Sequence, residues 1–214
     1  MSLRRGCSLF DMTTVTADIA VSLDGYGAGV NQTEEQPFGE GQGQRLHDAM
    51  GTWMFEHPDQ NRAEVDAILG AGAYIMGRNM FGPVRGEWDR DWTGWWGPEP
   101  PYRAPTFVLT HYPHDPIEMD GGTTFFFVTD GPEAALAAAK EAAGERRVSI
   151  AGGPTTLNQY LTLGAVDELR LHIVPITLGA GERVFDGVQG LTFDYAGVRS
   201  TEHVVHVTLR LPQT

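Results

Sequence analysis

The chain has 214 residues, is 41% hydrophobic and carries a formal net charge of −13. That length suits one domain with a full core, the negative field argues against nucleic acid and anionic membranes as partners, and no apolar run approaches the roughly 18 residues of a membrane span. One cysteine, Cys7, excludes an intramolecular disulfide and a thiolate cluster, and the seven histidines lack paired metal spacing, so a metal-free cytoplasmic protein is expected.

Met1–Met12 holds Arg4 and Arg5 among scraps of apolar sequence and reads as a leader, with a single domain over 13–214. Thr13–Ser22 alternates, Val15, Ala17, Ile19 and Val21 on one face and Thr16, Asp18, Ala20 and Ser22 on the other, which predicts a strand. Asp24 follows at its carboxyl end, where ligands of α/β sheets bind; it is either a site residue or a turn aspartate bonding its own backbone. Gly27–Gly43 is a polar loop, a candidate cover for a site. Gln44–Phe55 reads as a helix with Leu46, Met50, Trp53 and Met54 on its apolar stripe and His47 and Asp48 as polar neighbours; Arg62–Leu69 reads as a second helix.

Ala73–Met76 is a short strand that runs into Gly77-Arg78-Asn79. Arginine is shaped to grip phosphate in a fork, so Arg78 is either an anion ligand or a surface ion-pair residue. Pro83–Ala104 is irregular and holds Trp88, Trp92, Trp95 and Trp96. It serves as a wall for a flat substrate, a subunit contact or a self-packed loop. Thr106–Leu109 predicts a strand ending in Thr110-His111. Thr124–Val128 predicts another, apolar throughout and so buried on both faces, and Pro132–Ala143 an Ala-rich helix.

Val148–Ile150 is a buried strand that stops at Ala151-Gly152-Gly153 and turns through Pro154-Thr155-Thr156-Leu157 into a helix. The glycines permit close approach to the backbone, and the free N–H groups of Thr155, Thr156 and Leu157 sit at the positive end of the helix. Such a turn suits a pyrophosphate, or it is a tight connection that binds nothing. Glu168–Val174 is a further strand, Pro175–Gly190 a loop containing Arg183, and Thr192–Ser200 with His203–Leu211 an antiparallel pair. Strands interleaved with helices and closed by two more strands imply a mostly parallel sheet with an antiparallel edge. The marked groups converge on its carboxyl end, and Arg78 with Thr110 and His111 points to a ligand with an extra phosphate, NADPH rather than NADH. The spacing is not the GxGxxG fingerprint of the common dinucleotide fold.

Taken together, Ser22-Leu23-Asp24-Gly25-Tyr26, Ile75-Met76-Gly77-Arg78, Leu109-Thr110, Ile150-Ala151-Gly152-Gly153, Val166-Asp167-Glu168-Leu169 and Pro175–Phe185 with its Leu178-Gly179-Ala180-Gly181 resemble the dihydrofolate reductase superfamily. The similar branch is the one related to the reductase domain of the bifunctional deaminase-reductase of riboflavin biosynthesis. The resemblance covers nearly the whole chain from Met12 and implies a three-layer α/β/α fold with a mostly parallel eight-stranded sheet. It implies NADPH, and hydride transfer to a pterin- or pyrimidine-like C=N or C=O group, with homodimerisation through Thr124–Val128 and the terminal strands. It places the nicotinamide amide at Ala20, the adenosine phosphate side along Gly77, Arg78, Asn79, Thr110 and His111, and the pyrophosphate at Ala151, Gly152, Gly153 and the helix start. Asp24 and His47 are the candidate proton donors, and Asp24 and Arg183 candidate substrate contacts. Met80 stands where folate reductases usually have threonine, a departure at a phosphate contact. The alternatives are a non-catalytic or flavin-dependent binding protein on the same fold, with FMN as ligand, and a plain interaction module.

Overall fold

The alternating run after Thr13 forms β1 (Val15–Ser22) near the middle of a nine-stranded sheet. The computed structural model describes residues 13–83 and 85–212; the leader with Cys7 lies outside them. Along the chain follow β2 (Tyr26–Ala28), α1 (Gln42–Gly51), α2 (Arg62–Leu69), β3 (Ala73–Gly77), the short α3 (Arg78–Phe81), β4 (Pro105–Leu109), β5 (Ile117–Glu118) and β6 (Thr124–Val128). Then come α4 (Pro132–Ala143), β7 (Val148–Gly152), α5 (Pro154–Thr162), β8 (Glu168–Val174), β9 (Glu182–Arg183), β10 (Asp194–Ser200) and β11 (Val205–Arg210). The sheet order is β10-β11-β8-β1-β7-β3-β4-β6-β5, while β2 and β9 form a separate ribbon.

Pairs β8–β1, β1–β7, β7–β3, β3–β4 and β4–β6 are parallel, and β10–β11, β11–β8 and β5–β6 antiparallel. The sheet therefore has the expected mostly parallel body and antiparallel C-terminal edge. The ninth strand, β5, is two residues long and offers no alternation from which to predict it. The β2–β9 ribbon was likewise hidden inside two Gly-rich loops. It forms because Gly181, at φ 136°, lets its backbone pass where a Cβ would stand 2.0 Å from the Ala28 carbonyl.

One face of the sheet packs Val15, Ala17, Ile19, Ile75, Val148, Ile150 and Leu169 against Ala135 and Ala139 of α4 and Leu157, Tyr160 and Leu161 of α5. Small residues on α4 let it lie close to the strands. The opposite face carries α1 and its neighbours over Val174, with Leu46 and Trp53 fully buried. Beside them the aromatic insertion closes over Tyr74, Met76, Phe81, Val108 and Phe125. Two expectations change here. The helix predicted over Gln44–Phe55 starts at Gln42 and widens into a π turn at Thr52–Glu56, which carries the buried Trp53. Strand β6 is fully buried only at Phe125, because its outer neighbour is the two-residue β5.

Candidate functional site

The carboxyl ends of β1, β3, β4 and β7 open into a cleft of about 870 Å³ on the α1 side of the sheet. Parallel strands direct their C-terminal loops to one edge, which is why the marked groups meet there. Of the residues singled out from sequence, Ala20, His47, Gly77, Arg78, Asn79, Thr110, His111, Ala151, Gly153, Pro154, Thr155 and Thr156 line this cleft. Gly152, Leu157, Asp24 and Arg183 do not.

At the turn into α5, Gly152 adopts φ 105° and the Gly152–Gly153 peptide is cis. Pro154 opens the helix, and its first internal bond runs from Leu157 N–H to the Gly153 carbonyl at 3.0 Å. Leu157 is therefore not an outward donor, contrary to expectation: its N–H is engaged and its side chain is 1% exposed in the core. Thr155 and Thr156 supply the open N–H groups of this first turn. Gly77 allows the turn to sit close to β3, since a Cβ there would lie 2.3 Å from Thr156 Oγ1. Glu182 also reaches this turn and accepts a 3.2 Å hydrogen bond from the Thr155 hydroxyl. A carboxylate thus already faces the positive end of α5.

Arg78 is not the free fork the sequence suggested. Its guanidinium lies 3.3 Å from the centroid of the Trp88 ring, with Nη1 donating to Thr110 Oγ1 at 2.7 Å and Nη2 to the Gly86 carbonyl at 3.2 Å. Burial lowers its pKa, and only Nε is left without a partner. Arg85, which also lines the cleft, donates to the Gly82 carbonyl at 3.3 Å and the Gln32 side chain at 3.4 Å. Both bonds are long, so Arg85 is the cation freer to turn toward a ligand.

Asp24 is a structural staple. Its carboxylate accepts from Ser22 Oγ at 2.6 Å, Leu178 N–H at 3.0 Å and Gly179 N–H at 2.8 Å. The Ser22 hydroxyl foremost, then the two backbone donors, holds its pKa down to about 2. Ionised and engaged by three donors, Asp24 ties the end of β1 to the Leu178–Gly179 loop. Arg183 donates through Nε and Nη2 to the Asp24 carbonyl at 3.1 and 3.0 Å and lies over Tyr26, lining a smaller neighbouring cavity. His47 lines the mouth of the cleft against Phe38, with ring centroids 5.0 Å apart and its side chain 46% exposed.

Met50, Met54, Ile68, Trp95, Trp96 and Tyr102 wall an apolar, aromatic chamber of the same cleft, with Trp96 at its solvent side. The insertion is therefore partly self-packed, through Trp88 and Trp92, and partly a cleft wall, through Trp95 and Trp96. The chamber floor is polar and was missed from sequence: Asp18, Trp53, Ser149 and His172 all line it. Trp53 Nε1 and His172 Nε2 are buried without hydrogen-bond partners, as are both Asp18 oxygens, although Asp18 Oδ1 is ion-paired with Arg170 Nη1 at 3.2 Å. Polar groups so placed are costly unless something satisfies them. The available signal was the recurrence of ionisable residues at alternate positions of two neighbouring central strands: Asp18 on β1, Arg170 and His172 on β8.

Among the described residues no helix is long and apolar enough to cross a membrane, and no three His, Cys, Asp or Glu side chains are grouped to hold a metal.

Comparison with known proteins agrees with this architecture. The model of the RibD C-terminal domain matches residues 13–207. A protein assigned to riboflavin biosynthesis from Shewanella sp. PV-4 is 21% identical over 94% of this chain and 100% of that one, with a TM-score of 0.61. Dihydrofolate reductase from Enterococcus faecalis, complexed with NADP(H) and RAB-propyl, is 15% identical over 94% and 97%, with a TM-score of 0.54. The diaminohydroxyphosphoribosylaminopyrimidine deaminase/5-amino-6-(5-phosphoribosylamino)uracil reductase of Thermotoga maritima is 14% identical, with a TM-score of 0.57. That alignment covers 94% of this chain and 57% of that chain. These likenesses show a dihydrofolate reductase-like fold. No curated protein sequence matches the chain.

Proposed function

The chain belongs to the RibD C-terminal domain family, and from that premise we propose that it is an NADPH-dependent reductase acting on the C=N or C=O group of a small pterin- or pyrimidine-like heterocycle. The observation that carries the reading is the continuity of the cleft. One space of about 870 Å³ joins the open N–H groups of the α5 turn to an apolar, aromatic chamber with a polar floor. A dinucleotide and a flat acceptor need that combination, end to end.

The residues fit the cofactor in kind. Thr155 and Thr156 N–H at the start of α5 would hold a pyrophosphate. Arg85, Asn79 and His111, which line the same cleft, would take a ribose phosphate, and Ala20 lines it as well. When bound, the nicotinamide supplies the hydride. The chain's own residues orient the two partners, exclude water behind Trp95 and Tyr102, and hold charge at the floor. Glu182 is the unfavourable group, a carboxylate beside the anion turn.

Calorimetric titration with NADPH, NADH and FMN tests the reading. NADPH is expected to bind more tightly than NADH, and Arg85→Ala to reduce that preference. Binding of FMN without NADPH would favour the flavin-binding alternative, and no binding of any of the three would defeat both.

A further inference from the structure

The floor of the chamber belongs to a hydrogen-bonded chain whose direction can be worked out. Asn61 Nδ2 donates to the Trp53 and His57 carbonyls, each at 2.9 Å, so its Oδ1 is the acceptor end. That oxygen faces His206 Nε2 at 3.0 Å, so Nε2 carries a proton. Burial, foremost, holds the His206 pKa down to about 4, and the neutral ring then has a bare Nδ1. His206 Nδ1 lies 2.8 Å from His172 Nδ1, which must therefore be the protonated partner. A neutral His172 with its proton on Nδ1 would point a bare Nε2 at Asp18 Oδ1, 3.6 Å away. Two acceptors would then face each other in a site where the two side chains are 2% and 4% exposed. A proton between them removes that conflict.

We propose that Asp18 and His172 hold one proton between them at the floor of the chamber, and that this is the proton delivered to the nitrogen or oxygen of the acceptor. The proposal rests on the reductase reading. The acceptor carbon gains hydride from the reduced nicotinamide, which is oxidised, and the C=N or C=O π bond breaks. The heteroatom takes the proton from the Asp18–His172 pair, and solvent reprotonates the pair. Ala20 lies two residues beyond Asp18 on the same face of β1, about 7 Å along the strand, and is in register with His172 on β8, so the pair lies next to the position expected for the nicotinamide and lines the same cleft. Other groups act on the pair. Arg170 Nη1 is 3.2 Å from Asp18 Oδ1, and Glu168 Oε1 forms an ion pair with Arg170, 3.2 Å from its Nε. Arg147 and Tyr74 lie within electrostatic range of Asp18. Glu64 and Arg199 act on His206 from behind.

The first readout needs no substrate. In ¹⁵N-labelled protein at neutral pH, histidine nitrogen shifts should show His206 protonated at Nε2 only, and His172 protonated at Nδ1 with a proton shared at Nε2. Asp18→Asn should convert His172 Nε2 to a bare acceptor. A wild type with His172 bare at Nδ1 would overturn the proposal. The second readout is NADPH oxidation with a 7,8-dihydropterin as C=N probe and an ortho-quinone as C=O probe. Asp18→Asn and His172→Gln should each lower kcat about 10²–10⁴-fold and leave NADPH affinity within a few-fold. Asp18→Glu should recover part of the rate. Unchanged kcat in both variants overturns the donor role, as does a wild type that binds NADPH but reduces neither probe. Absence of NADPH binding instead defeats the reductase reading and the donor role with it, leaving the histidine pattern as a separate result.

Discussion

Glu182 accepts a hydrogen bond from the hydroxyl of Thr155 at 3.2 Å and so places a carboxylate at the positive end of α5. In the ligand-free chain this favours the helix, because a negative group near its N-terminus is stabilising. For a pyrophosphate the same charge is a competitor at close range. Unit charges about 4 Å apart repel by roughly 1 kcal/mol in water and more in a partly enclosed site. Glu182→Gln is expected to tighten NADPH binding about fivefold, with the gain shrinking as salt is raised. Calorimetry at two ionic strengths measures this, and unchanged or weaker binding would count against an anion site at the turn.

Gly77 and Thr156 make a second coupled pair. A Cβ on Gly77 would stand 2.3 Å from Thr156 Oγ1 but 3.6 Å from its Cβ. The clash is therefore with the hydroxyl alone. Gly77→Ala should destabilise the fold by about 1–3 kcal/mol. In the Thr156→Ala background the same change should cost much less. Urea denaturation of the four proteins gives the coupling energy directly. Additive effects would mean that α5 and β3 are not in the close contact described.

Much of this arrangement is readable from the sequence, and the limits are physical. Strands β1, β3, β7 and β8 announce themselves by alternation or by short apolar runs, and glycines mark where they stop. The edge where ligands meet follows from parallel topology. What cannot be read is which polar residue answers which. Asp18 sits on the polar half of an alternating strand and looks like surface there. It becomes a floor residue only because β8 pairs in a register that sets Asp18 opposite Arg170 and Ala20 opposite His172, with His206 brought beside His172 by β11. The surroundings of Arg78 are unreadable for a related reason. Its stacking partner Trp88 belongs to an irregular insertion whose path no periodicity predicts.

The two arginines should therefore separate cleanly on mutation. Arg78 is 9% exposed, stacked on Trp88 and bonded to Thr110 and Gly86. Arg78→Ala removes a stacked cation and its two hydrogen bonds, to Thr110 Oγ1 and the Gly86 carbonyl, a loss of about 2–4 kcal/mol in stability. Arg85→Ala gives up only long bonds to Gly82 and Gln32. It should change stability by less than about 1 kcal/mol while narrowing the preference for NADPH over NADH by roughly tenfold. Thermal melts and paired titrations measure both quantities. A stable Arg78→Ala protein with lost NADPH preference would reverse the assignment.

Acid stability provides the last test, through His206. Its folded pKa is lowered from the ordinary histidine value of 6.5 to about 4, first by burial and then by His172, with Glu64 opposing. A histidine with a depressed folded pKa binds its proton more readily in the unfolded chain. The neutral ring therefore favours the fold fully above about pH 6.5, and this contribution is lost as pH falls from there toward about 4. A shift of this size is worth on the order of 2–3 kcal/mol. Carboxylates also titrate in the lower part of that window, so the quantity to compare is the difference between two proteins. Wild type and His206→Gln are measured by urea unfolding from pH 8 to pH 4. The variant should be less stable at pH 8, because Asn61 and His172 lose a well-placed partner, yet its stability should fall less steeply below pH 6.5. Parallel pH profiles would mean that His206 titrates freely in the folded protein, and that the buried chain from Asn61 to Asp18 does not hold its protons in the order described.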